Sequence, residues 1–329
     1  MNNPPIRGEE FITISRSEMQ KIGLVLSGGG GKGPYEIGVW RAMEQLGLAK
    51  DIVAVSGTSV GALNAALFAQ GDLAKAEEAW LNMSPSDVLS IDLKHILILL
   101  AKRGFKPSPM AIATITAIAM HGVFSRKGLL RIIRDYLDVD KVKQRGMPYY
   151  ACATQLPFFK AEYFSMQEYQ QKNIEDILLA SSAIPGVFPI QEVEGSDYWD
   201  GFIKDNTPIK PVVEEGCNII IAVMLSRSDL LPVEQYPNCK IIPIYPQEDP
   251  GAALNFNNSA DKMQKGYDDA MRVLVPVFDL VETNYQYSIE QLKYKKQQQV
   301  LEQKNEESKR VDLALEKSKL DLLEELNKW

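Results

Sequence analysis

A serine with glycines two residues to either side, Gly57-Thr58-Ser59-Val60-Gly61, stands between the apolar run IVAVS (52–56) and the helix-forming run ALNAALFA (62–69). That order demands a strand, a sharp turn and a helix in immediate succession, which confines the chain to folds built from β-α units. Small residues are needed beside the serine because the strained turn brings strand and helix backbones together. The Ser59 hydroxyl is then pushed into the open, as in a nucleophile elbow. A G-x-S-x-G string arises by chance often enough that the flanking strand and helix carry the reading.

A second unit of the same kind lies upstream. The run KIGLVL (21–26) reads as a buried strand; Ser27-Gly28-Gly29-Gly30-Gly31-Lys32-Gly33 follows, then a helical pattern over 35–46. Consecutive amides without side chains can converge on one negative oxygen, and the helix N-terminus adds partial positive charge. A P-loop is excluded: Leu26 occupies its first glycine position, and Gly33 follows Lys32 where a hydroxyl residue is required. Gly28, Gly30 and Gly33 meet the dinucleotide spacing, but the acidic residue at the right distance, Asp51, precedes its strand instead of ending it. Glycine loop and elbow together suggest an oxyanion hole beside a serine nucleophile.

Such a serine needs a base. The chain has 2 histidines, His95 and His121, and neither follows Asp200, so the Ser…Asp…His order of α/β-hydrolases is absent. His95 lies in IDLKHIL (91–97) and His121 after a small apolar run; both read first as helix-face residues and both stay open as bases. Asp200, in YWDGF (198–202) after a strand-like segment at 190–193 and a turn at Gly195-Ser196, is the better candidate. An ordinary carboxylate, with a pKa near 3.9, is a poor base for a hydroxyl; burial beside aromatic residues would raise its basicity. Gly201 would let the backbone turn tightly enough for the carboxylate to reach the serine, although a D-G pair alone signals only a turn.

These blocks resemble the patatin-like phospholipases, whose motifs are a G-G-G-x-[KR]-G loop, a G-x-S-x-G elbow and a later D-G-[GA]. Gly28-Gly29-Gly30-Gly31-Lys32-Gly33 matches the first, Gly57-Thr58-Ser59-Val60-Gly61 the second, and Asp200-Gly201 the first two positions of the third, with Phe202 in place of the small third residue. ASSAIPGVFP (180–189) and FSRKGL (124–129) are further family-like segments, and the resemblance spans about residues 21–280. It implies that Ser59 is the acyl-enzyme nucleophile, Asp200 its general base, and the amides of Gly29, Gly30 and Gly31 the oxyanion hole. It implies a lipid acyl hydrolase of the phospholipase A or lysophospholipase type, with a Ser-Asp dyad and no cofactor or metal. A bacterial origin is expected from the compact family-like architecture.

Apolar runs at 149–154, 218–223 and 240–244 are continuous, not alternating, as in strands covered on both faces. The expected fold is a three-layer α/β/α sandwich with a largely parallel central sheet and a C-terminal helical extension, the site lying at the carboxyl ends of the first strands. Residues 1–20 are expected to be a flexible segment, 21–285 the acyl hydrolase domain, and 286–329 a charged helical tail. Within the domain, 88–122 holds two apolar stretches joined by KRGFKPSP (102–109), a candidate mobile cap.

With 45% hydrophobic residues the chain can bury a substantial core, yet no stretch reaches the roughly 20 apolar residues of a membrane span. The first ten residues lack the basic start and apolar block of a secretory signal, so a cytoplasmic enzyme is expected. Cys152, Cys217 and Cys239 are scattered without C-x-x-C spacing, arguing against a disulfide framework or thiolate zinc site. A net charge of −7 argues against nucleic acid as partner; peripheral membrane contact would rest on apolar insertion and a local cluster of Lys102, Arg103 and Lys106. In the tail, charges alternate in sign and Val311, Leu315, Leu322 and Leu326 share a rough face, which suits a solvated helix, a homo-oligomer contact or an activating partner. Two alternatives accompany the hydrolase reading: a signal- or partner-activated membrane-degrading effector of the same chemistry, and a non-catalytic module binding lipid or a partner.

Overall fold

The computed structural model describes residues 21–88, 90–91 and 124–326. The N-terminal segment, His95, His121 and the basic cluster fall outside them, as does the cap candidate apart from its first residues. The chain divides into two compact units, Met1–Val273 and Leu274–Trp329.

The first unit is organised by its sheet. β1 (Ile22–Leu26) leads through the glycine turn into α1 (Pro34–Gln45), and β2 (Ile52–Thr58) leads through Ser59 into α2 (Val60–Gln70). Next come α3 (Leu73–Asn82), a short α4 (Pro85–Val88), β3 (Ser90–Ile91), β4 (Phe124–Ser125), α5 (Lys127–Tyr136), α6 (Val139–Arg145), β5 (Tyr149–Gln155) and β6 (Lys160–Ser165). After α7 (Gln171–Ser181) follow β7 (Gln191–Val193), β8 (Ser196–Asp200), α8 (Ile209–Glu214), β9 (Ile219–Val223), β10 (Lys240–Ile244) and α9 (Ser259–Leu326).

Eight of the described strands form one sheet in the order β10-β9-β1-β2-β5-β8-β7, with β6 also paired to β5. β10, β9, β1, β2 and β5 are mutually parallel, whereas β6 and β8 run antiparallel to β5, and β7 antiparallel to β8. The sheet is therefore mixed, with its parallel part where continuous apolar runs demanded two covered faces. Beneath one face Val25, Ala54, Ile220 and Ala222 pack with Ile209 and Val212 of α8. The connections from β1 lead to β2 on one side while β9 lies on the other, so the carboxyl end of β1 is a switch point where open α/β sheets place their ligands.

The order of the strands brings the motifs together. Leu26 at the end of β1 pairs with Gly57, Thr58 pairs with Cys152, and the next residue of β5, Ala153, pairs with Asp200. The glycine turn, the elbow and the end of β8 thus share one edge of the sheet. Elsewhere β3 and β4 pair as a two-stranded antiparallel ladder, joining the two ends of the cap candidate.

One boundary differs from expectation. Charged composition puts the tail at 286–329, yet its helix starts at Ser259 and continues through Pro276. Its opening turns bury Met263 and Ala270 in the first unit, so an amphipathic start precedes the solvated part. In the second unit Val311 and Leu315 are 57% and 70% exposed, while the side chains of Leu322 and Leu326 lie outside the description.

Candidate active site

The elbow is built as its glycines required. Ser59 adopts φ 56°, ψ −123°, a positive φ that an L side chain rarely takes, and stands as the N-cap of α2. A Cβ on Gly57 would lie 2.2 Å from the Gly61 carbonyl oxygen, and one on Gly61 would lie 2.3 Å from that of Leu26. The strained residue is held from both sides: its N–H donates to Ser181 Oγ at 2.9 Å, and its carbonyl accepts from Ala62 and Leu63. Ser181 Oγ in turn donates to the Cys152 carbonyl at 2.6 Å, tying α7 to the elbow through β5.

Asp200 ends β8 and is fully buried. Gly201 then turns the chain back over β5, where a Cβ would fall 2.4 Å from the Cys152 carbonyl oxygen and 2.9 Å from Thr58 Cγ2. That crossing carries the carboxylate toward Ser59. Oδ1 of Asp200 accepts from the Phe202 N–H at 2.9 Å, whereas Oδ2 is buried with no hydrogen-bond partner. Burial pushes the Asp200 pKa up to about 7, against the opposing pull of the Phe202 amide, the Ser59 hydroxyl and the Arg126 guanidinium. The Ser59 hydroxyl thus lies close enough to act on the carboxylate, although no hydrogen bond joins the pair. Phe202 serves through its backbone; its ring is 48% exposed, so the departure from the family motif leaves the carboxylate untouched.

The glycine turn presents its amides unequally. Gly28 N–H donates to the Asn206 carbonyl at 3.1 Å and Gly31 N–H to the Ala253 carbonyl at 2.6 Å. The amides of Gly29 and Gly30 meet no acceptor among the described residues. Gly30 has φ +57°, and a Cβ there would lie 2.3 Å from the Ala253 oxygen. Of the three amides expected to receive an oxyanion, two are free and the third is engaged. Gly33 is tied to α2 by Asn64, whose Nδ2 donates to its carbonyl at 3.0 Å and to Glu36 Oε2 at 2.7 Å, while Trp80 Nε1 donates to Asn64 Oδ1 at 2.9 Å. Burial pushes the Glu36 pKa well up, favouring its neutral form beneath the turn.

Ser59, itself only 4% exposed, opens on a channel of about 810 Å³, part of it open to solvent. Leu63, Leu67, Trp80, Ile133, Leu178 and Phe188 are among its walls, which come mainly from α2, α3, α5, α7 and the segment that follows α7 and are almost entirely apolar. From Ser59 to Leu67 it follows α2 for roughly 12 Å at 1.5 Å per residue.

Several residues escape sequence reasoning. Ser181 and Arg126 lie in the family-like segments, but nothing in their spacing discloses what they hold: the Arg126 guanidinium donates to the carbonyls of Leu179 and Pro189 and stands 5.7 Å over the Phe188 ring. Asn206, whose Nδ2 donates to the Gly28 carbonyl at 3.2 Å and Asp229 Oδ2 at 3.0 Å, carries no local signal at all. Among the described residues no group of three or more His, Cys, Asp or Glu could hold a metal ion, and no helix is long and apolar enough to cross a membrane.

The family model described as patatin-like phospholipase matches residues 24–213. An uncharacterized NTE family protein of Mycobacterium tuberculosis is 30% identical over 221 residues, covering 67% of this chain and 53% of that protein. Lysophospholipase NTE1 of Kluyveromyces lactis is 25% identical over 233 residues, 68% of this chain and 14% of that protein. The chain therefore spans about half the length of its mycobacterial relative. Among solved structures, VipD from Legionella pneumophila shares the fold, with a TM-score of 0.50 at 16% identity over 78% of this chain and 67% of that one.

Proposed function

The chain belongs to the patatin-like phospholipase family, and from that premise we propose that it cleaves carboxyl esters of glycerophospholipids through an acyl-Ser59 intermediate. The observation that carries the reading is the unpartnered Oδ2 of the buried Asp200 beside the strained Ser59. A buried carboxylate oxygen without a donor is costly, and the nearby serine hydroxyl can supply one.

In this reading Asp200 takes the hydroxyl proton as Ser59 Oγ attacks the ester carbonyl. The oxyanion is received by the amides of Gly29 and Gly30, with the α2 N-terminus adding favourable field. Collapse breaks the bond to the leaving alcohol, which takes the proton from Asp200. Water then attacks the acyl-serine, gives a proton to Asp200, and the fatty acid leaves as that proton returns to Ser59. The apolar channel suits the acyl chain, and its polar neighbours at the Ser59 end suit the ester.

Release of fatty acid from mixed phospholipid vesicles is the direct test. Wild type should release it; Ser59→Ala and Asp200→Asn should each reduce the rate by at least about 10³-fold, as expected for loss of nucleophile or base. Equal release by wild type and Ser59→Ala would sink the proposal.

A further inference from the structure

Four successive glycines have many backbone conformations open to them, so a turn made of them aims its amides in one direction only if something outside it fixes the peptide planes. The segment 249–258, which follows β10, does so. Asp249 Oδ1 accepts from Lys32 Nζ at 2.9 Å, and Lys32 Nζ also donates to the Leu225 carbonyl at 3.1 Å. The Ala253 carbonyl takes the Gly31 N–H, as above. The Asn255 carbonyl lies so close to Gly31 that a Cβ there would be 2.3 Å from its oxygen.

Two carbonyl oxygens, of Gly31 and Asn255, are thus brought together with no amide between them. Lys262, in the first turn of α9, fills the gap: its Nζ donates to Gly31 O at 2.7 Å and to Asn255 O at 2.6 Å. The residue is 3% exposed. Its neighbour Asp261 is paired with Lys265 at 3.2 Å instead, and Lys262 has no carboxylate partner among the described residues. An ammonium buried without a counter-ion is retained at a cost, which only its hydrogen bonds offset. Lys262 lies beyond the matched family segment 24–213 and in none of the motifs.

We propose that Lys262 is a positioning residue for acyl transfer, its ammonium bridging Gly31 O and Asn255 O so that the Gly29 and Gly30 amides stay free and aimed at the oxyanion. With both polar groups of Gly31 fixed by this strap, the plane it shares with Lys32 cannot rotate; the Lys32 N–H is thereby held on the Gly29 carbonyl at 3.3 Å, which fixes the plane that carries the free Gly30 N–H, while Asn206 on the Gly28 carbonyl holds the plane that carries the Gly29 N–H. Removing the ammonium leaves two buried carbonyls facing each other, and the turn relaxes. The inference rests on the hydrolase reading, and the test separates the two.

The full-length chain is assayed with a soluble p-nitrophenyl ester and with a fluorophosphonate, whose phosphoryl oxygen occupies the same hole. Lys262→Met should lower kcat about 10- to 100-fold, somewhat less than loss of an oxyanion donor itself, with KM within about twofold. Fluorophosphonate labelling of Ser59 should slow in parallel, Lys262→Arg should recover most of the rate, and added ethylammonium should partly restore Lys262→Ala. A folded Lys262→Met with wild-type kcat and labelling rate overturns the proposal. So does failure of Met, Arg and Ala variants alike to fold, which makes Lys262 a structural anchor, or a loss of rate that only tracks the folded fraction. Wild type that neither turns over nor labels would instead remove the hydrolase reading.

Discussion

In the proposed mechanism Asp200 sets the pH behaviour of the site: its carboxyl must be ionised to take the serine proton, and burial holds its pKa up to about 7. kcat/KM should therefore rise with pH through a midpoint near 7, measured on a soluble ester between pH 5 and 9. Stability runs the other way. Below the ordinary carboxylate pKa both folded and unfolded states are protonated; between that value and about 7 only the folded state keeps its proton, so stability is lost as pH rises through this window. A difference of about 3 units corresponds to roughly 4 kcal/mol at most. Asp200→Asn, neutral throughout, should unfold several degrees above wild type at pH 8, with the gap shrinking toward pH 5 in calorimetry. An unchanged gap across that range would deny Asp200 its buried, proton-holding state. Ser59 and Asp200 were legible in the sequence because each carries its own glycine and turn. Ser181, Asn206 and Lys262 were not, because each is defined by a backbone group more than a hundred residues away.

At the scale of elements, the β2-to-α2 junction leaves no room for a methyl group. Gly57→Ala would set a Cβ 2.2 Å from the Gly61 carbonyl oxygen, and neither backbone can yield without moving the strand or the helix. The variant should lose about 3 kcal/mol or more in urea unfolding, or fail to accumulate as soluble protein. The channel offers a gentler test. Leu63 lines it one turn beyond Ser59, so Leu63→Trp should shift preference among p-nitrophenyl esters toward short acyl chains, with butyrate turnover kept while that of long-chain esters falls about tenfold or more. Loss of all chain lengths equally would place the acyl group elsewhere. Strands β1, β2, β5, β9 and β10 were readable from unbroken apolar runs. The start of α9 was not, since charged composition marks only its solvated part, whereas packing against α1 decides where it begins: a Cβ on Gly266 would lie 1.9 Å from the Tyr35 carbonyl oxygen.

Across the whole molecule, the sheet was expected to be largely parallel, and its parallel strands do carry the glycine turn and the elbow. The antiparallel strands were harder to foresee, yet one of them delivers Asp200; pairing partners are not all written in local pattern, because β8, although it forms a hairpin with β7, joins the rest of the sheet through β5, far earlier in the chain. The chemistry proposed draws nucleophile, base and oxyanion donors from the chain itself, so ester hydrolysis should be unchanged by EDTA, and a loss of rate restored by calcium would contradict it. The element capped by Ser59 also forms a wall of the apolar channel as far as Leu67. Under the proposed chemistry, speed and taste are inherited together on that side: a substitution that shifts α2 disturbs the Ser59 hydroxyl along with the groove. The wall contributed by α5 carries no such burden. Under the proposed hydrolysis, descendants of this chain can acquire new lipid preferences by drifting at Ile132 or Tyr136, while the face from α2 stays under the discipline of turnover.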